Sequence, residues 1–167
     1  RYTLLERRAR PALCRHRVHH VAVRLDLEAM ERAAVALVGR HDYRAFQSHD
    51  PLRAGRSTVR EVFRAEVRRA GDCIHLDFEA SGFLYNMARA MAGTLVEVGR
   101  GKLPVAAVAA LLASGDRRAA GPTLPACGLT LMRVDYPESA ERGRDRDDDE
   151  DTAGEAARRP RGLRGVP

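Results

Sequence analysis

The sequence predicts an α+β fold, an antiparallel sheet with helices packed on one face, from two periodic patterns and their order. The stretches "TVREVFRAEVRR" (58–69) and "CIHLDFEA" (73–80) alternate around "AGD" and read as a β-hairpin. "DLEAMERAAVALVG" (26–39) and "GFLYNMARAMAGTLVEVGRG" (82–101) repeat apolar residues at helical spacing instead. With the flanking extended segments the order becomes strand, helix, strand, strand, helix, strand. That is the split βαβ arrangement of ferredoxin-like folds.

Each element has a local reason. "RYTLLERR" and "RHRVHHVAVRL" read as extended, separated by a turn at Pro11. In 26–39 Asp26 caps a helix, Leu27, Met30, Ala34, Leu37 and Val38 form its apolar stripe, and Gly39 closes it. "HDYRAF" (41–46) reads as a short helical turn, followed by the polar loop "QSHDPLRAGRS". In the second hairpin strand Ile74, Leu76, Phe78 and Ala80 take one face, while His75, Asp77 and Glu79 take the other. The 82–101 helix places Leu84, Met87, Met91, Leu95 and Val98 on one stripe. A second helix, "LPVAAVAALLASG", has Pro104 near its first turn, and "DRRAAGPTLPACG" leads to a last strand, "LTLMRVDYP" (129–137).

Composition sets the outer limits. At 167 residues and 44% hydrophobic content the chain can build one core, which the pattern assigns to residues 1–138. The tail, "SAERGRDRDDDEDTAGEAARRPRGLRGVP" (139–167), has almost no apolar residues and long charge blocks, so it is expected to be disordered. No apolar run is long enough to span a membrane, and "RYTLLERRARP" has no signal-peptide core, which makes the cytoplasm the expected compartment. Cys14, Cys73 and Cys127 are scattered without a CxxC pair, and the six histidines form no HExxH motif. Neither a disulfide framework nor a metal site is expected. No serine sits in a GxSxG elbow, and "GRGKLP" lacks the spacing of a phosphate loop.

Charge points toward a partner. The net charge is +6, and every cationic residue except Lys102 is arginine. The tail holds seven arginines against eight acids, which leaves twenty-two cations against fifteen acids, or +7, on residues 1–138. Such an excess suits a polyanion, nucleic acid above all. Arg53, Arg56 and Arg60, in and beside "RAGRSTVR", stand on a turn where guanidinium groups reach phosphates; solvated surface arginines are the plain alternative. Arg89 faces about 160° away from the middle of its helix's apolar stripe by helical winding. Its neighbours there are Tyr85, Ala92, Gly93 and Val96, and the small Ala92 and Gly93 leave room for a group to approach. Glu97, the nearest acid on that helix, does not share its face. A half-buried guanidinium needs an anion from elsewhere; an ordinary surface arginine is the other reading.

Several stretches, in one order, resemble the TruA family of tRNA pseudouridine synthases: "HDYRAF", "RSTVREV", "GFLYNMARAMAGTLVEVGRGK", "DRRAAGPTLPACGLTL" and "VDYP". The resemblance covers residues 1 to about 138 and corresponds to the C-terminal half of such an enzyme. It implies isomerisation of uridine to pseudouridine in the anticodon stem-loop of tRNA, without cofactor or metal, by a homodimer that grips tRNA across both subunits. It implies that Arg89 pairs with the family's catalytic aspartate, holding it ionised and oriented. By the same resemblance Leu129 lines the uracil pocket, Phe83 and Asn86 support it, and Arg56 and Arg60 contact RNA. The family's "GRTDAG" motif, which carries that aspartate, has no counterpart here, and Asp42, Asp50 and Asp135 sit in other contexts. By the same resemblance Tyr2 matches the second tyrosine of the family's "RYRY", so the chain is expected to start within a strand and to lack the family's active-site tyrosine. The expectation is a chain inactive by itself; a non-catalytic RNA-binding module of ferredoxin-like fold is the competing reading.

Overall fold

A computed structural model describes residues 1–49 and 55–136. Two units, Arg1–Met132 and Arg133–Pro167, divide the chain. The expected disordered tail, 139–167, lies outside the described residues.

The α+β class holds. Among the described residues five strands, β1 (Tyr2–Glu6), β2 (His19–Val21), β3 (Gly39–Asp42), β4 (Val59–Ala70) and β5 (Cys73–Ala80), form one sheet in the order β2-β1-β5-β4-β3. The predicted hairpin is β4–β5, with a register irregularity between Val62 and Arg64. The sheet is mixed rather than wholly antiparallel, because β2 lies parallel to β1 with Leu4 opposite His19. A parallel neighbour needs a crossover of about a dozen residues or more, and residues 7–18 supply it without a helix.

Among the described residues three α-helices complete the unit: α1 (Leu27–Val35), α2 (Met87–Gly99) and α3 (Ala107–Ser114). The Asp26 carboxylate caps α1 by accepting from the Ala29 amide at 3.0 Å, as its position predicts. Gly39 does not close this helix. It opens β3 at φ 118°, and Tyr43 ties the two elements by donating to the carbonyls of Leu37 (2.7 Å) and Gly39 (3.0 Å). The segment expected as a helical turn is therefore half strand, with a 3-10 turn only at Arg44–Phe46.

The long helix predicted for 82–101 starts five residues later. Asn86 is held at φ 61°, left-handed backbone that ends the 82–86 loop and starts α2. Asparagine tolerates this conformation better than most residues. Gly115, at φ 69°, terminates α3. Over its described residues, the last predicted strand is absent. Leu129 forms a single antiparallel bridge with Tyr2, and the Thr130 amide donates to the Arg1 carbonyl at 2.9 Å. Residues 131–136 continue without a ladder.

The core lies on one face of the sheet. Tyr2, Leu4, Val62, Val67, Ile74 and Leu76 meet Met30, Ala33 and Leu37 from α1 and its C-terminal flank, and Met87, Met91 and Leu95 from α2. On the β4–β5 hairpin the opposite face is charged: Arg64 stands opposite Glu79, Glu66 opposite Asp77 and Arg68 opposite His75. Asp77 is almost fully buried there, between Arg1 (Nε to Oδ1, 2.8 Å) and Arg68. Burial opposes ionisation of Asp77, but hydrogen bonds from Arg1 and Arg68 outweigh it and hold the carboxyl at about 2. A depressed carboxyl stabilises the fold fully above its unfolded-state value near 3.9, and this contribution disappears as pH falls from about 4 to about 2. Asp77→Asn is expected to cost about 1–2 kcal/mol at pH 7, allowing for solvent screening of the half-exposed Arg68. Urea denaturation of both proteins at pH 7 and pH 3 measures it; the gap between them should narrow at the lower pH.

Candidate functional site

The register brings scattered motifs to one end of the sheet. Tyr2 pairs with Leu76 and Leu5 with Cys73, so β1 begins toward the end at which β5 finishes. Asp42 pairs with Val59, so β3 finishes where β4 begins. The 3-10 turn and Ser48, Arg56 and Arg60, and the 82–86 loop therefore lie toward the same end of the sheet as Arg1 and Tyr2.

Two loops are strapped together there. The Ser48 amide donates to the Tyr85 carbonyl (3.1 Å), and the Asn86 Nδ2 donates to the Ser48 Oγ (3.1 Å). Asn86 then uses its other side-chain atom: Oδ1 accepts from Arg89 Nη1 at 2.7 Å. Arg89 Nε donates to the Leu124 carbonyl, and the Leu124 amide donates back to the Arg89 carbonyl at 3.3 Å. The half-buried guanidinium is thus fixed by two neutral acceptors. Among the described residues it has no carboxylate partner; Glu97 pairs instead with Arg100 (3.0 Å) and Lys102 (3.3 Å).

The space that Gly93 was expected to leave for an approaching group is filled by the chain itself. A Cβ on Gly93 would fall 1.8 Å from the Pro122 carbonyl oxygen, and one on Gly121 would meet the α2 backbone at 2.6 Å. Thr94 seals this contact, accepting from the Gly121 amide (3.0 Å) while donating to the Ala90 carbonyl (2.9 Å). The small face of α2 thus seats the 121–124 segment, and that segment delivers the Leu124 carbonyl to Arg89.

Tyr2 continues the arrangement. It is fully buried, its hydroxyl donates to the Pro125 carbonyl (2.7 Å), and burial pushes the phenol up so that it stays protonated. Gly128 lies against its ring, where a Cβ would come within 2.7 Å. The bridge from Tyr2 then presents Leu129, which is 40% exposed. Phe83, 39% exposed, stands on the 82–86 loop. Asn86 and Arg89 are in direct contact, whereas Leu129 joins them through Tyr2 and the 124–129 loop. Sequence reasoning missed Ser48 and the Leu124 carbonyl. A serine in a polar loop carries no distinctive signal, and a backbone acceptor carries none in side-chain identity.

Arg60 turns back on its own strand, donating through Nη1 to the carbonyls of Ser57 (2.9 Å) and Val59 (2.7 Å). With Arg56, Gln47, Ser57, Leu84 and Tyr85 it lines a hollow of about 50 Å³. Arg53 and Asp50 lie outside the described residues. Asp42 is already engaged, accepting from the Thr58 hydroxyl and the Arg44 amide (3.0 Å) and pairing with Arg44 Nε (2.9 Å). Asp135 pairs with Arg133. Among the described residues no three histidine, cysteine or carboxylate side chains are placed to hold a metal ion.

Residues 33–137 match the family described as tRNA pseudouridine synthase. The chain belongs to that family. Proteins named tRNA pseudouridine synthase A from Syntrophotalea carbinolica and Caulobacter vibrioides are 48% and 49% identical to it, each over 81% of this chain. The relative of that name from Methylobacterium nodulans is 46% identical over 84% of the chain. The alignments cover 53%, 54% and 54% of those proteins, so the chain spans about half the length of the curated relatives it matches. The family resemblance and the fold class read from the motifs are both borne out.

Proposed function

We propose that this chain supplies one half of the active site of a cytoplasmic, homodimeric tRNA pseudouridine synthase, which isomerises uridine in the anticodon stem-loop. The isomerisation breaks the bond from uracil N1 to ribose C1′, joins C5 to C1′ and replaces the proton at C5 with one at N1. It is redox-neutral and consumes no second substrate. What the protein must supply is a positioned carboxylate and a pocket that holds the base during its rotation.

Arg89 is the observation that carries this reading. Its guanidinium is oriented by Asn86 and Leu124, both neutral, and has no carboxylate partner among the described residues. A cation fixed before its anion arrives sets the anion's position and ionisation at small reorganisation cost. In this proposal the anion is the aspartate of the family's "GRTDAG" motif, carried on a half of the protein outside these residues. Leu129 and Phe83 are the exposed apolar groups at hand for the uracil ring, and Arg56 and Arg60 for the RNA backbone. Residues 1–138 act as this half-enzyme, and the 139–167 tail stands outside it.

The test compares the 167-residue chain, alone and joined to an aspartate-bearing half from a relative, on unmodified tRNA. Nearest-neighbour analysis should find pseudouridine in the anticodon stem-loop with the joined protein and none with the chain alone. Robust product from the chain alone, or none from the joined protein, contradicts the proposal.

A further inference from the structure

Residues 7–24, from the end of β1 past β2, contain six arginines and three histidines and no carboxylate. Arg7, Arg8, Arg10, Arg15, Arg17 and Arg24 are all exposed, and none forms an ion pair among the described residues. Elsewhere in the same unit the arginines are mostly compensated: Arg32 by Glu28, Arg64 by Glu79, Arg68 by Asp77, Arg69 by Glu6 and Arg100 by Glu97. Uncompensated exposed guanidinium groups build a local positive potential that a polyanion neutralises, releasing its own counterions.

The crossover also adjoins the candidate site. It leaves β1 at Arg7, whose carbonyl lies 2.7 Å from His20 Nε2, and runs back so that His19 stands opposite Leu4. At its returning end the Cys127 thiol donates to the Val18 carbonyl (3.4 Å), and the rings of Tyr2 and His19 stand edge to face at 6.4 Å. Arg15 and Arg17 therefore sit beside the 124–129 loop that presents Leu129. Across the sheet, β4, which carries Arg60 and follows Arg56, lies three strand spacings from β2, about 14 Å. Two groups of arginines flank the site from opposite sides.

We propose that the 7–24 segment, the crossover together with β2 and its flank, is a second phosphate-binding surface, holding the RNA backbone beyond the nucleotide in the site. It rests on the reading that RNA is the substrate, and it adds a contact that fixes position without reading bases. The test is filter binding of the 167-residue chain and of its R8S/R10S/R15S/R17S variant across a salt series. The probes are unmodified tRNA and an oligouridylate, and circular dichroism melts check that the variant folds. The slope of log affinity against log salt should flatten by about 3 for both RNAs, since each lost phosphate contact removes about 0.7–0.9. The R15S/R17S pair alone should give about half that change. An unchanged slope with both RNAs, or a wild-type chain that binds neither, overturns the proposal. Failure of the functional reading looks different: the slope change persists, but tRNA is bound no better than oligouridylate and the joined protein makes no pseudouridine.

Discussion

Arg89→Ala, in the chain joined to an aspartate-bearing half from a relative, is expected to lower pseudouridine formation by about a thousandfold or more while leaving the fold intact. The size follows from removing a preorganised charge from a site where electrostatic groups are commonly worth a hundred- to a thousandfold. The aspartate would also lose the partner that keeps it ionised. The fold should survive because Arg89 is only half buried and its two partners, Asn86 and the Leu124 carbonyl, are neutral. Arg89→Lys sharpens the expectation. Lysine keeps the charge but cannot reproduce the fork that bonds Nε to Leu124 and Nη1 to Asn86 at once, so it should rescue only a small part of the rate. Tritium release from tRNA labelled at uridine C5 gives the rates, and thermal melts give the stability. Near-normal turnover of the alanine variant would return Arg89 to an ordinary surface role.

Gly93→Ala is expected to cost about 3 kcal/mol or more, from overpacking into a backbone that cannot easily retreat. The added methyl group would meet the Pro122 carbonyl oxygen at 1.8 Å, in a contact held closed by the Thr94 hydroxyl bond to Gly121. The 121–124 segment must move, and it carries the carbonyl that orients Arg89, so activity of the joined enzyme should fall with stability. Gly101→Ala is the comparison. Its Cβ would point into open space, and only the left-handed φ of 71° opposes it, for about 1 kcal/mol. Urea denaturation of the two variants decides the matter; equal costs would mean that the Gly93 contact is far looser than its geometry indicates.

What was legible in the chain follows from the range of the forces involved. The β4–β5 hairpin and the Asp26 cap were readable because each depends on residues a few positions apart. The start of α2 was not. The apolar pattern runs on through 82–86, while the break at Asn86 depends on Ser48, thirty-eight residues away. Nor was β3, a four-residue edge strand whose pairing with β4 is long-range. The last strand failed for a related reason, since an alternating pattern shows which faces a segment has and not whether a neighbour is there to pair with it. At the site the outcome is similar. Periodicity turned Arg89 away from the apolar stripe, but only the fold showed that the small residues beside it receive the chain's own 121–124 segment.

The most direct measurement is the titration of the catalytic carboxylate itself, in the joined protein with selectively ¹³C-labelled aspartate, with and without Arg89. If Arg89 is the partner of that group, Arg89→Ala should raise its pKa by about 1–3 units, as loss of an adjacent opposite charge does. A carboxylate that titrates at the same pH in both proteins would contradict the pairing on which the proposed site is built.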